Sequence, residues 1–340
     1  MSGWELPPQD GDWQTLVDAV TAAQSVVCVA HVSPDGDALG SALGAALAMR
    51  QLGIDAVASF DEDPFRVPMS LEWMASEWIT APADLPETPD VVISFDASDS
   101  ARLGCLAELG ARAGLFAAVD HHRSYTGFAP LSIVDVTSPA TAVLAVELID
   151  RLGAELDPQI ASCIYAGLTT DTGSFRFAGT TAATHELAAR LHRAGIAHDQ
   201  IARLVFDTAP FLSVQLLGDA IARAQLDHEA AGGLGLVWTY VTKGERQARG
   251  LPLDAAESII DTIRVTSEAE IAVVIKQGDD DVWRVSTRSK GHVDLGEVCS
   301  RLGGGGHRFA AGFSSTNEPQ AIIESIIATV EEAQATASAS

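Results

Sequence analysis

Residues 25–37 read SVVCVAHVSPDGD, and this stretch decides the fold of the first half of the chain. It begins with an apolar run that has the length of a buried strand, and the run leads directly into His31, Asp35 and Asp37. The small-residue segment 38–52 follows with the length of a helix. Because a strand followed by a helix is the repeating unit of parallel sheets, we predict an α/β domain with polar side chains after its first strand.

The same alternation of apolar runs and helical patterns continues along the first half of the chain. It predicts a parallel sheet with helices on both faces, in a domain that occupies residues 1–195. The further strands are predicted over Ile54–Phe60, Val91–Phe95, Leu115–Val119 and Leu131–Val134, and the helices over Thr141–Leu152, Pro158–Thr170 and His185–Ala194.

A helical segment without strand pattern, residues 196–224, separates this region from one of different texture, and we interpret it as a helical linker. Residues 225–335 are predicted to form a smaller, mixed α/β domain. Its strands are expected over Gly235–Val241, Ile271–Lys276 and Val282–Thr287, and its helices over Ala255–Val265 and Pro319–Glu332.

The bulk composition narrows the classes of function. The 340 residues carry a formal net charge of -25, which disfavours binding to long nucleic acid because such binding depends on basic surface. No apolar run reaches the roughly 18 residues of a transmembrane helix, so no membrane partner is expected. Residues 1–20 lack a basic start followed by an apolar core, and we therefore expect a cytoplasmic protein.

Acids and imidazoles follow three of the predicted strands, and another acid follows a predicted helix. Asp35 and Asp37 alone could form a turn, and Asp96 or Asp171 alone could be a helix cap or turn residue. Asp120-His121-His122 is harder to explain in this way, because an acid and two imidazoles cost folding energy if they are buried without partners. Because the carboxyl ends of parallel strands meet at one edge of a sheet, we expect these side chains to converge on one site. They are His31, Asp35, Asp37, Asp96, Asp120, His121, His122 and Asp171.

This set of side chains suits a pair of divalent metal ions. Imidazole and carboxylate together favour Mn²⁺, Zn²⁺ or Fe²⁺ over Mg²⁺ and Ca²⁺, which prefer shells made only of oxygen. Two such ions can activate a water and stabilise an in-line phosphoryl displacement without a serine or cysteine nucleophile. No G-x-x-x-x-G-K-[ST] loop occurs, so an ATP-binding P-loop is excluded.

A second feature lies near the C-terminus, where residues 302–312 read LGGGGHRFAAG. Glycines let a backbone approach a ligand and point N–H groups at an anion, although the stretch could also be a flexible loop before a strand. Arg288 could hold a phosphate with two hydrogen bonds, or it could be a solvated surface residue. The sequence therefore favours a small phosphate-bearing ligand that is held locally.

These motifs together resemble the DHH/DHHA1 phosphoesterase family, and most closely its NrnA-type enzymes. The resemblance spans most of the chain and rests on H-x-x-P-D-x-D-A-x-G-S at His31–Ser41, Ser94-Phe95-Asp96, Asp120-His121-His122, Y-A-G-L-x-T-D-T-G-x-F at Tyr165–Phe175, and G-G-G-G-H with A-A-G at Gly303–Gly312. It implies hydrolysis of short oligoribonucleotides to mononucleotides and of 3′-phosphoadenosine 5′-phosphate (pAp) to AMP. It also implies two metal ions, usually manganese, and a possible homodimer. In such enzymes residues 1–195 would be the DHH domain and 225–335 the DHHA1 domain.

The resemblance also implies a role for each matching residue. One metal would be held by His31 and Asp35, the other by Asp37, His121 and Asp171, with Asp96 bridging both. Asp120 would orient an imidazole, and His122 would contact the scissile phosphate and assist proton transfer. The residues implied in gripping the other end of the nucleotide are Arg288, Gly304, Gly305, Gly306 and His307.

One departure and several alternatives follow from the same comparison. Relatives often carry a Ser-Thr pair where this chain has Ala140-Thr141-Ala142, so a phosphate contact there is in doubt.

Related enzymes with the same pair of domains cleave cyclic di-adenylate or its linear product. A family II manganese pyrophosphatase and a non-catalytic nucleotide sensor are the remaining alternatives, and exonuclease action on long strands is disfavoured by the length and charge of the chain.

Overall fold

The structure is a computed structural model that describes residues 8–74 and 77–339. The chain divides into two compact units, the first ending at Thr208 and the second beginning at Ala209. This division falls inside the segment 196–224, and the helical linker expected there stays a prediction, as do the domain boundaries on either side of it.

The first unit is a five-stranded parallel sheet with the strand order β2-β1-β3-β4-β5. Its strands are β1 (Val26–Val29), β2 (Ala56–Ser59), β3 (Val91–Phe95), β4 (Leu115–Asp120) and β5 (Leu131–Val134). Its helices are α1 (Asp10–Ala22), α2 (Gly36–Gln51), α3 (Leu106–Arg112), α4 (Thr141–Leu152), α5 (Pro158–Asp171), α6 (Ala182–Arg193) and α7 (His198–Phe206).

Alternate residues of the central strands face opposite sides of the sheet, and both sides are apolar. On β1, Val26 and Cys28 belong to a core shared with α1, α2, α4 and α5, whereas Val27 and Val29 belong to a second core shared with α3. The predicted parallel sheet with helices on both faces is therefore confirmed.

Helices α2 and α5 approach each other closely along a row of glycines. A Cβ atom on Gly40 would lie 2.3 Å from the carbonyl oxygen of Cys163, and one on Gly44 would lie 2.9 Å from Ile164 Cδ1. The spacing of these glycines by four residues places them on one face of α2. This close approach brings the first turn of α2 beside the last turn of α5, and each of these turns carries an acidic residue of the site.

The second unit is built on a six-stranded sheet with the order β10-β11-β9-β8-β7-β6, in which only β7 and β8 pair in parallel. Its strands are β6 (Gln225–Asp227), β7 (Leu236–Val241), β8 (Ile271–Gln277), β9 (Trp283–Ser289), β10 (Gly305–His307) and β11 (Ala310–Ser315). Its helices are α8 (Phe211–Ala222), α9 (Ala230–Gly233), α10 (Lys243–Gln247), α11 (Ile259–Ile263), α12 (Leu295–Arg301) and α13 (Pro319–Ala339).

One face of this mixed sheet packs on α12 and α13, which confirms the predicted mixed α/β character of the region. The helix predicted over 255–265 is wrong in extent, because a short 3₁₀ turn at Leu253–Ala256 precedes the five-residue α11. Among the described helices, none is long and apolar enough by itself to cross a membrane, and α7 with α8 meets that criterion only when the two are taken together.

Candidate metal centre

The polar residues predicted from the first half of the chain converge at the carboxyl edge of the parallel sheet. Each is placed by the end of a regular element, since the backbone turns there and the side chain faces the edge. His31 follows β1, Asp96 follows β3, His121 and His122 follow β4, Asp35 and Asp37 lie at the start of α2, and Asp171 ends α5.

The closest approaches define two groups of donor atoms. In the first, His31 Nε2 lies 3.8 Å from Asp35 Oδ2 and 3.7 Å from Asp96 Oδ2. In the second, His121 Nε2 lies 3.1 Å from Asp171 Oδ2, 3.4 Å from Asp96 Oδ1 and 3.9 Å from Asp37 Oδ2. The two groups share one residue and use different oxygens of its carboxylate.

Backbone carbonyls orient the two histidines of these groups. His31 Nδ1 lies 2.9 Å from the carbonyl oxygen of Val32, and His121 Nδ1 lies 3.0 Å from that of Ser138. A proton on Nδ1 satisfies each carbonyl, so Nε2 is the ring nitrogen that faces the carboxylates and would bind an ion. Metal-binding histidines are commonly held in this way, with one ring nitrogen on a carbonyl and the other on the ion.

Backbone amides hold the carboxylates of Asp35 and Asp37. They come from the first turn of α2 for Asp35 and from the amino end of α4 for Asp37. Asp35 Oδ1 accepts from the amides of Asp37 and Ala38, so its other oxygen is directed at His31. Asp37 is fully buried and accepts from the amides of Thr141 at 2.6 Å and Ala142 at 2.8 Å.

Asp96 occupies an unusual backbone conformation, with φ of 62°. Aspartate tolerates this left-handed region better than most residues, and strained positions of this kind cluster at functional sites. Its buried carboxylate accepts a hydrogen bond of 2.8 Å from the hydroxyl of Thr141. Both the backbone and the side chain of Asp96 are therefore set by the surrounding structure.

A third contact joins Asp120 and His122. Asp120 Oδ1 lies 2.8 Å from His122 Nδ1 and also accepts from the amide of His121. The carboxylate is buried, and its Oδ2 has no hydrogen-bond partner among the described residues. The contact fixes the ring of His122, whose side chain is 16% exposed.

The electrostatics of the site favour a cation. Burial and the neighbouring charges of Asp96 and Asp171 raise the pKa of Asp37 well above its ordinary value. Burial also acts to raise the pKa of Asp96, but the hydrogen bond from His121 and the charges of the histidines hold it well below its ordinary value. The site thus concentrates more negative charge than its imidazoles neutralise, and a divalent ion would relieve the repulsion.

The donor set therefore fits metal ions. The first group, His31, Asp35 and Asp96, and the second, Asp37, Asp96 and His121, each offer one nitrogen and carboxylate oxygens within 4.8 Å of one another. Such mixed shells suit transition metals, with geometry and ligand number deciding which one binds.

The second unit brings together the residues predicted from its glycine-rich stretch. Arg288 on β9 pairs with Ala310 on β11, which in turn pairs with His307 on β10, so Arg288 and His307 lie on the same face of the sheet. One hydrogen bond of the Arg288 guanidinium goes to the carbonyl of Thr287. A role for this face in binding substrate stays a prediction.

The backbone geometry around β10 and β11 requires small residues beside His307. The amide of Gly304 donates to the carbonyl of Cys299, and a Cβ atom there would lie 2.1 Å from the Gly312 carbonyl oxygen. Gly305 and Gly306 belong to the strand β10, and Gly306 has φ of 134°. The tight hairpin thus accounts for the small residues, and anion binding by their amides stays a prediction.

Sequence reasoning missed the groups that hold the histidines and aspartates of the site in place. Thr141 was noted only for a phosphate contact, yet it contacts two of the carboxylates. The carbonyl of Ser138 and the amide of Ala142 carry no signal in their residue types, because backbone atoms are common to all residues. The one sequence signal for this contact is the position of Thr141, which is the first residue of a helix that follows a strand of the parallel sheet.

A parallel sheet with paired groups of histidine and aspartate at its carboxyl edge is typical of a metal-dependent hydrolase. More particularly, the chain belongs to the DHH/DHHA1 phosphoesterase family: the DHH family N-terminal domain matches residues 25–168, and the DHHA1 domain matches residues 240–336. The protein is a metal-dependent phosphoesterase, as the family resemblance predicted.

Similar proteins include two curated relatives and one solved structure. The bifunctional oligoribonuclease and PAP phosphatase NrnA of Thermus thermophilus is 31% identical over 90% of this chain and 90% of its own length. The cyclic-di-AMP phosphodiesterase GdpP of Geobacillus thermodenitrificans is 26% identical over 86% of this chain and 45% of its own length. An exopolyphosphatase-related protein from Bacteroides fragilis shares the fold, with a TM-score of 0.82 at 22% identity over 96% of this chain and 97% of that one.

Proposed function

We propose that this protein is a two-metal phosphoesterase, with manganese as its metal, that hydrolyses short oligoribonucleotides to mononucleotides and pAp to AMP. The observation that carries the proposal is the position of Asp96. Its Oδ2 faces His31 Nε2 at 3.7 Å, while its Oδ1 faces His121 Nε2 at 3.4 Å. A carboxylate that directs its two oxygens at two separate groups of ligands is suited to bridge a pair of metal ions.

The metal ions would be held by His31, Asp35 and Asp96 on one side and by Asp37, Asp96, His121 and Asp171 on the other. When bound, two divalent ions supply a water nucleophile at neutral pH and neutralise the charge of the phosphoryl group.

His122 is the proposed acid of the reaction. Burial lowers the pKa of His122, but the charge of Asp120 and its hydrogen bond to Nδ1 raise it, and the net direction is upward. These contacts favour the protonated imidazole, with Nδ1 on Asp120 and Nε2 directed away from that contact. Proton donation from Nε2 to the leaving oxygen would follow, in the manner of general acid catalysis.

Arg288 and His307 are the proposed contacts to the part of the nucleotide that does not react. They lie on one face of the second unit, and guanidinium and imidazole both donate hydrogen bonds to phosphate oxygens. The net charge of -25 supports small nucleotides over long nucleic acid as partners.

A second candidate substrate is cyclic or linear di-adenylate, because one relative is named a cyclic-di-AMP phosphodiesterase. The pyrophosphatase alternative is not favoured, since the curated relatives above are named for nucleotide substrates. A non-catalytic sensor is also disfavoured, because every predicted metal ligand is present and lies in one of the two groups of donors within the described first unit. A homodimer and a cytoplasmic location stay predictions.

The test is a hydrolysis panel in Mn²⁺ that compares pAp, ribonucleotides of two to five residues, linear and cyclic di-adenylate, and pyrophosphate. The variant Asp96→Ala removes the shared carboxylate, and Asp84→Ala, at an exposed position, is its matched control. Turnover of oligoribonucleotides and pAp that is lost only in Asp96→Ala is expected. Turnover of pyrophosphate alone, or no metal-dependent turnover at all, would overturn the proposal.

A further inference from the structure

Thr141 contacts two of the three carboxylates that face His121. Its hydroxyl donates to Asp96 Oδ1 at 2.8 Å, and its backbone amide donates to Asp37 Oδ2 at 2.6 Å. The residue is completely buried, so water does not compete for either hydrogen bond. These contacts join positions that are 45 and 104 residues apart in the chain.

The hydroxyl controls the rotation of the Asp96 carboxylate. It bonds Oδ1, the oxygen that faces His121, whereas Oδ2 faces His31. A hydrogen bond to one oxygen restricts rotation about the Cβ–Cγ bond and holds the two oxygens toward separate imidazoles. Valine has nearly the same shape as threonine but cannot donate, so the carboxylate would lose this restraint.

The amide of the same residue acts on the second acid. The N-cap residue of α4 is Ala140, which has no side chain able to cap, and the helix takes its cap from Asp37 on α2 instead. The capping bonds fix Asp37 beside His121 and place its negative charge at the positive end of the helix dipole. The backbone amide of Thr141 therefore links the start of α4 to the position of Asp37 in the second group of ligands.

We infer that Thr141 is a positioning residue for the second metal ion: its hydroxyl sets the orientation of Asp96, and it acts on that ion more than on the first. The inference rests on the proposed two-metal function. It also gives the single hydroxyl of the Ala140-Thr141-Ala142 stretch a role toward the metal ligands in place of a contact to phosphate. Loss of an outer hydrogen bond to a metal ligand typically weakens metal binding by roughly tenfold to a hundredfold.

The test is a Mn²⁺ titration of the full chain, followed by the electron paramagnetic resonance signal of free Mn²⁺, for the parent, Thr141→Val and Thr141→Ser. We expect Thr141→Val to weaken one equivalent of Mn²⁺ by roughly tenfold to a hundredfold and to leave the other close to its parent affinity. Thr141→Ser keeps the hydroxyl and should bind both equivalents nearly as the parent does. The Mn²⁺ concentration for half-maximal hydrolysis should rise in Thr141→Val, and excess Mn²⁺ should restore turnover.

A buried threonine elsewhere supplies the control. Thr239 lies in the second unit, and its hydroxyl donates to the carbonyl of Ala220, so Thr239→Val removes a buried hydrogen bond without touching a carboxylate of the site. Its Mn²⁺ affinity should equal that of the parent. An equal loss in Thr239→Val, or in Thr141→Ser, would overturn the inference, because the effect would then not depend on this hydroxyl.

The remaining outcomes separate this inference from the proposed function. If the parent binds two equivalents and hydrolyses nucleotides while Thr141→Val binds Mn²⁺ equally well, the positioning role is wrong and the function stands. If the parent binds no Mn²⁺, both fail together. Unfolding curves of the metal-free variants show whether each chain is folded before its titration is interpreted.

Discussion

The imidazole of His122 is held by Asp120, whose Oδ1 lies 2.8 Å from His122 Nδ1. The acid is completely buried and the ring is partly exposed, so the pair joins an interior charge to a group that solvent can reach. This arrangement stabilises the protonated ring and fixes which nitrogen is available for chemistry.

The pH dependence of hydrolysis should follow from this pair. If His122 donates a proton, activity falls as the pH rises through its raised pKa. Asp120→Asn removes the charge that raises this pKa, so the alkaline fall should move to lower pH, and His122→Ala should lose roughly a hundredfold or more in kcat. The measurement is kcat against pH at saturating Mn²⁺. An unchanged profile in Asp120→Asn would show that Asp120 does not control the charge of the ring.

Arg288 should affect substrate binding more than metal binding. Arg288→Ala is expected to raise KM for pAp by roughly tenfold or more, because a charged hydrogen bond to phosphate is lost, and to leave Mn²⁺ affinity unchanged. The control is Arg284→Ala, which changes an arginine of the same strand that is paired with Asp280. Equal effects of the two variants on KM would point to general surface charge instead of a specific contact.

The glycine row of α2 should tolerate no side chain at its tightest point. Gly40→Ala places a methyl group 2.3 Å from the Cys163 carbonyl oxygen, and overpacking of this kind costs roughly 1–3 kcal/mol. Gly218→Ala is the matched control, since it also lies in a helix and its added Cβ would meet nothing within 4 Å. Urea unfolding should show Gly40→Ala destabilised and Gly218→Ala unchanged or slightly stabilised.

The second unit should depend on the ionised form of Glu245. Burial acts to raise the pKa of Glu245, but hydrogen bonds from Arg223 and Thr242 lower it to about 2. The folded pKa is depressed, so the stabilisation is present above the ordinary glutamate pKa and is lost as pH falls toward 2. Glu245→Gln should therefore destabilise the unit by about 1–2 kcal/mol near neutral pH.

The difference between Glu245→Gln and the parent should shrink in acid, and thermal unfolding at several pH values would show this. Glu297→Gln, which removes a surface pair with Arg301 on one helix, should change stability by only a few tenths of a kcal/mol. A constant difference between Glu245→Gln and the parent at every pH would contradict the depressed pKa.

Local patterns of apolar and polar residues were sufficient to predict most strands and helices of the fold. The apolar runs of β1, β3 and β4 predicted parallel strands, and the side chains after them were correctly expected at one edge of the sheet. Helix α1 was not predicted, although Trp13, Leu16 and Val20 have helical spacing and are buried. Strand β10 was read as a possible loop, because glycine has no strand preference and the pairing partner β11 decides its conformation.

The sequence alone determined which types of side chain follow which strands, since both features depend on residues close together in the chain. Only the tertiary structure decided that Asp37 caps α4, that Thr141 bonds Asp96, and that the two oxygens of Asp96 face different histidines. These relations join residues tens to a hundred positions apart and use backbone amides that every residue possesses. They depend on how closely the helices pack around the sheet, which no local pattern of residue types specifies.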